Sequence, residues 1–177
     1  MKVISHTYEM VDRAFEKALR RKALSGSITR GKASAAGYLG EIAVAAYLDA
    51  KIVSDSESNH DLILKDGRTC EVKTKRRTVP PIGTYEVSIA SASRHQQPDL
   101  YAFVSLHFRR SCRIHDIITY HDLVAVWFLG YKEPRDYFLD SKLWNPGDTD
   151  LGNGFRSHVE MYNLPIHRLD FGHDISI

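Results

Sequence analysis

Two acids and a lysine stand close enough in this chain to act on one bound group. They are Asp61, Glu71 and Lys73, in the stretch Asp61-Leu62-Ile63-Leu64-Lys65-Asp66-Gly67-Arg68-Thr69-Cys70-Glu71-Val72-Lys73. The stretch reads as two short strands joined by a tight glycine turn. Residues i and i+2 of a strand share a face, so Glu71 and Lys73 point one way and Cys70, Val72 and Thr74 the other. The turn decides whether Asp61 joins the first pair. With Lys65-Asp66-Gly67 as a three-residue loop closed by a left-handed Gly67, Leu64 pairs with Arg68, Leu62 with Cys70 and Asp61 with Glu71. Opposed carboxylates of this kind have Cβ atoms about 4.5–5.5 Å apart. A two-residue Asp66-Gly67 loop would set Asp61 against Val72 and separate the acids. The first register is preferred because it gathers Leu62, Leu64, Cys70 and Val72 on one apolar face. Paired carboxylates repel each other unless a cation lies between them, so the hairpin is a candidate metal site.

Several elements must position that hairpin. Tyr8, Val11, Phe15, Ala18 and Leu19 recur at helical spacing, which predicts an amphipathic helix over about residues 6–24, ended at Ser25-Gly26-Ser27. Its apolar stripe faces either the core or a partner subunit. A second helix is expected from about Ala33 to Ala50, rich in Ala. Gly37 and Gly40 each cost about 1 kcal/mol there relative to Ala, which suggests close approach of another backbone. Glu41 is an acid in a helix apolar on nearly all sides: it either has a buried partner or lies on a thin exposed face. Ile52-Val53 reads as an edge strand before the hairpin, and Val79-Pro80-Pro81-Ile82-Gly83 as a break after it. Tyr85, Val87 and Ile89 alternate as a further strand or extended arm. Ser91–Gln97 reads as a short polar helix stopped by Pro98. Tyr101–Phe108 and Leu123–Leu129 are continuous apolar runs, as in strands covered on both faces. After Gly130 come turns at Trp144–Asp148 and Gly152–Gly154, a last strand over His158–Tyr162, and a closing segment Pro165–Leu169. The order predicts one α/β domain over residues 1–177 with a central mixed β-sheet flanked by helices: an N-terminal helical segment (1–32), a core (33–108) and a sheet-completing remainder (109–177).

Composition narrows the class. Hydrophobic residues make up 43% and charged residues 26%, as in ordinary water-soluble domains. No apolar run reaches the length of a membrane span, and the acidic residues soon after Lys2 are unlike a signal peptide. Cys70 and Cys112 offer neither a disulfide framework nor zinc-ligand spacing, so a reducing, cytoplasmic setting is expected. The net charge of +2 is too small to imply nucleic acid by itself. Basic residues do cluster at Lys17–Lys22, Lys73–Arg77 and Arg109–Arg113, and the middle cluster continues directly from the acidic hairpin.

The combination of helix Glu41, Asp61 and then Glu71-Val72-Lys73 resembles the PD-(D/E)XK nuclease superfamily, which has the restriction-endonuclease-like fold. The resemblance covers about residues 33–108. The residue before Asp61 is His60, where the family's motif has proline. The resemblance implies a metal-dependent nuclease that hydrolyses DNA phosphodiesters, as an endonuclease, in a bacterial cell or a virus-infected host cell. It implies that Asp61, Glu71 and the Val72 carbonyl hold Mg²⁺ (or Mn²⁺), that Lys73 assists the attacking water, and that Glu41 supports the metal site. Lys75, Arg76 and Arg77 would contact the nucleic-acid backbone through charge. Gln97 and Tyr101 have the Gln-x-x-x-Tyr spacing of RecB-like members. Ser91, Arg94, His95 and Gln96 are further candidates to line the site. His115-Asp116 and His121-Asp122 read as surface or capping residues. A homodimer would suit cutting of both strands. Two other readings are a non-catalytic nucleic-acid-binding or interaction module that keeps the fold, and a structural protein whose acids and lysine form a surface ion-pair cluster.

Overall fold

The computed structural model describes residues 1–22, 34–53, 60–109, 120–150 and 154–172. Expectations that fall on Ser25-Gly26-Ser27, Arg110–Arg113, His115-Asp116 and Gly152-Asn153 lie outside these residues. The main sheet has six strands: β1 (Lys2–Ile4), β2 (Lys51–Ile52), β3 (Leu62–Ile63), β4 (Thr69–Arg77), and two long apolar strands. With a small-sheet strand β5 (Glu86–Ala90) between them in sequence, these last two are β6 (Leu100–Phe108) and β7 (Leu123–Lys132). The spatial order is β1-β7-β6-β4-β3-β2. The pairing of β4 with β6 is parallel and the others are antiparallel, so the sheet is mixed, as expected.

Helices α1 (Tyr8–Lys22) and α2 (Ser34–Leu48) cover one face. The side chains of Leu39, Ile42, Ala43 and Val44 join Cys70, Val72, Ala102 and Val104 in one core. Of the two glycines of α2, Gly40 marks close approach, and of a side chain rather than the backbone expected. A Cβ there would run into the Thr74 hydroxyl and stand 3.1 Å from Thr74 Cβ, whereas Gly37 has open space around it. On α1 the buried stripe is Val11, Ala14 and Ala18, while Tyr8 and Leu19 are exposed. Val11 and Ala18 of the expected stripe are thus buried and its edges Tyr8 and Leu19 are not, with Ala14 taking their place in the core.

The opposite face carries a layer that the sequence reading missed. β5, β8 (Lys142–Trp144) and β9 (Met161–Pro165) form an antiparallel sheet in the order β5-β9-β8. Together with α3 (Pro134–Asp140) it buries Val87, Ile89, Tyr137 and Leu164 against Tyr101, Phe103 and Leu129. Strand β6 is therefore covered on both faces, which accounts for its unbroken apolar run. Among the described strands after residue 109, β7 joins the main sheet and β8 and β9 belong to the small one. β7 also runs on through Gly130, whose φ of 136° and contact with the Asp170 carbonyl favour glycine there.

Candidate active site

The hairpin adopts the three-residue loop. Gly67 has φ 88°, its N–H donates to the Leu64 carbonyl at 3.0 Å, and Leu64 N–H donates to the Arg68 carbonyl at 2.9 Å. Asp66 fastens the turn by accepting from Arg68 N–H at 3.0 Å and from its Nε at 2.7 Å. Leu62 stands opposite Cys70, with both buried beside Leu64 and Val72. Regular pairing of β3 ends at Leu62, one residue short of Asp61. The Asp61 carbonyl accepts from Val53 N–H at 3.0 Å, and its Oδ2 accepts from Val72 N–H at 2.8 Å. Asp61 is thus tied to the backbone between Glu71 and Lys73.

Glu71 lies on the opposite face of β4 from Cys70 and Val72 and is only 6% exposed. Its Oε1 accepts from Lys73 Nζ and from Gln96 Nε2, both at 2.9 Å, and Lys73 Nζ also donates to Gln96 Oε1 at 3.0 Å. Its Oε2 is buried with no hydrogen-bond partner among the described residues. Leaving such a lone pair unmet costs about 1–3 kcal/mol. Burial, then the charges of Glu41 and Glu71, push the Asp61 carboxyl up to about 8, against the pull of Val72 N–H and Lys73. Glu41 itself pairs with Lys17 on α1 at 3.2 Å. The three acids therefore belong to one electrostatic cluster, with Asp61 feeling both others.

Asp61 and the Glu71 oxygen without a partner supply carboxylate oxygens, the donor type that hard cations take. Asp61, Glu71 and the Val72 carbonyl fit Mg²⁺ in donor type. Among the described residues no three His, Cys, Asp or Glu side chains surround a common point as a metal cage. With Glu41 paired to Lys17, the available set is two carboxylates and a backbone oxygen rather than three side chains.

The 3₁₀ turn Ser91–Gln96 delivers a further side chain to the cluster. Gln96 reaches Glu71 and Lys73, whereas Gln97 takes a left-handed φ of 41° and is exposed, with its side chain outside this network. Motif spacing had pointed to Gln97, and the tight turn places its neighbour inward instead. Tyr101 pairs with Glu71 across β4 and β6 and is fully buried, with its ring 5.9 Å from Lys73 Nζ. Burial, then the Glu71 charge, push its phenol up to about 12. Arg94 is turned towards Phe138 and Tyr162, and His95 is exposed. His121 and Asp122 form a 3₁₀ turn with Tyr120 at the entrance to β7.

The basic run is folded in rather than spread on an open surface. Lys75 donates to the Glu86 carbonyl at 3.1 Å and to Ser88 Oγ at 3.0 Å. Arg77 donates to the Glu86 carbonyl at 2.9 Å and lies 4.9 Å from the Tyr85 ring. Arg76 is 5.0 Å from the Phe108 ring. Burial, then Arg77, bring the Lys75 ammonium down to about 8.

Fold and site together define an α/β protein with a mixed sheet and a buried acid–lysine cluster at its centre. The chain matches no known family model and no curated protein sequence. No helix among the described residues is long and apolar enough to cross a membrane.

Proposed function

We propose that the protein is a metal-dependent nuclease of the PD-(D/E)XK type, hydrolysing phosphodiester bonds in DNA. The observation that carries this reading is the convergence on one strand: Asp61 on Val72 N–H, Glu71 bound to Lys73, and an unpartnered Glu71 oxygen beside a carboxyl driven upward by its neighbours. Asp61, Glu71 and the Val72 carbonyl would hold the ion, whose positive charge polarises a phosphoryl oxygen and acidifies water. Lys73 places an ammonium beside the reacting phosphate, where it orients the attacking water and meets charge developing on the phosphoryl oxygens. Gln96 fixes the Lys73 and Glu71 side chains so that neither must reorganise. The apolar ring of Tyr101 beneath them keeps bulk water from that side of the site.

The test is cleavage of duplex, branched and single-stranded DNA with Mg²⁺ or Mn²⁺ and with EDTA. Activity that requires the cation and disappears in Glu71→Gln supports the proposal. Inertness of the wild-type protein on every form with either ion would count against it. A second reading is a binding module in which the Glu71–Lys73–Gln96 network is structural, since Lys73 and Gln96 already satisfy Glu71 Oε1. That reading predicts salt-sensitive DNA binding in EDTA that survives Glu71→Gln.

A further inference from the structure

A cavity of about 620 Å³ opens at the far end of the strand that carries the acid–lysine pair. Lys75 continues the face of Glu71 and Lys73, about 7 Å beyond Lys73 at the usual strand rise. It lines the cavity together with Arg77. The walls are aromatic: Tyr85, Phe108, Trp144 and Phe155. The floor is polar, where Ser88 accepts from Lys75 and donates to Asn163. The Trp144 indole N–H is buried without a partner among the described residues, and so is Arg77 Nε. Lys75 and Arg77 donate to a carbonyl and a hydroxyl, and the Glu86 and Asp150 carboxylates line the same cavity and act on Lys75, so both signs of charge face the space.

Aromatic walls with hydrogen-bonding groups of both signs at the base match the ring and polar edge of an unstacked nucleobase. A duplex keeps its bases stacked and cannot fill such a cavity without paying to expel one. We infer that this cavity receives an unstacked nucleobase of the strand held at Glu71 and Lys73, and that the protein selects single-stranded nucleic acid, or single-stranded segments of branched forms, over duplex. The inference rests on the proposed function for the strand's presence at Lys73. The cavity itself is a separate structure and is tested without catalysis.

The experiment uses the full chain in EDTA, with fluorescence anisotropy of a labelled single-stranded oligonucleotide and of the same sequence as duplex. A second series moves 2-aminopurine through the single strand one position at a time. Single strand should bind at least about tenfold more tightly than duplex, and one position should be quenched more than its neighbours. Phe155→Ala, at a half-exposed position, should weaken single-strand binding about tenfold and lift that quench while far-UV circular dichroism shows the fold retained. Leu139→Ala, exposed on α3, should change neither. Equal affinity for both forms, uniform quenching, or a Phe155→Ala protein that binds like wild type overturns the inference. If cation-dependent cleavage accompanies such a result, the nuclease reading stands and the pocket alone is lost. If neither cleavage nor binding occurs, both are lost.

Discussion

Replacing Asp61 with Asn should make the metal-free protein more stable at alkaline pH. The Asp61 carboxyl is raised from 3.8 to about 8 by burial and by Glu41 and Glu71. The folded state therefore holds a proton that the unfolded chain gives up above pH 4. Stability falls as pH rises from about 4 to about 8, and the loss is complete above the folded value. At about 1.4 kcal/mol per unit, the full shift sets a ceiling near 6 kcal/mol. Because the repulsion is shared among three acids, neutralising one should recover roughly 2–4 kcal/mol at pH 8. For a domain of this size that is about 5–15 °C in melting temperature. Asn retains an oxygen for Val72 N–H, so the backbone tie at 2.8 Å is preserved. Thermal melts in EDTA from pH 4.5 to 8.5 should show wild type and Asp61→Asn together at the acid end and diverging upward. Added Mg²⁺ should raise the wild-type melting temperature at pH 8 and leave the variant nearly unmoved. Parallel melting curves across this range, or a wild type that gains stability with pH, would refute the electrostatic argument.

Three further outcomes are expected. Lys73→Ala should lower cleavage about 10²–10³-fold, measured as single-turnover rates, while far-UV circular dichroism shows the fold retained. Gln96→Ala should lower the same rate about tenfold to a hundredfold and Gln97→Ala should leave it unchanged, because only Gln96 holds Glu71 and Lys73 in place. Gly40→Ala should cost about 1–3 kcal/mol in urea denaturation by driving α2 off Thr74, and Thr74→Ala in the same chain should restore most of it.

Local patterning carried the hairpin well. The Lys65-Asp66-Gly67 loop, the Leu62–Cys70 register and the sharing of a face by Glu71 and Lys73 all follow from glycine chemistry and strand periodicity. The mixed sheet and the two long helices were legible for the same reason. The small sheet was not: β8 is three residues long, and α3 buries only Tyr137, so neither shows a periodic stripe. Its one local signal was Pro134 at the first helical position. The last strand begins at Met161 rather than His158, because its limits are set by β5 across from it and not by its own alternation. Gln96 was legible only as one of several polar candidates, since choosing it over Gln97 requires the pitch of a 3₁₀ turn.

The central parallel pairing also has a consequence for how the molecule comes into being. Cys70–Arg77 of β4 lies against Leu100–His107 of β6, and Lys2–Ile4 finds its partners at Val126–Phe128. These pairings close long loops before any contact rewards them, which makes folding slow and places much of it after β6 and β7 have left the ribosome. Asp61, Glu71 and Lys73 emerge earlier, but the clasp of Thr69 on Asp99 and the reach of Gln96 to Glu71 wait for the later chain. A nascent chain therefore carries all three of these residues without the geometry that joins them, and any activity they support waits until β6 and Gln96 have folded against them.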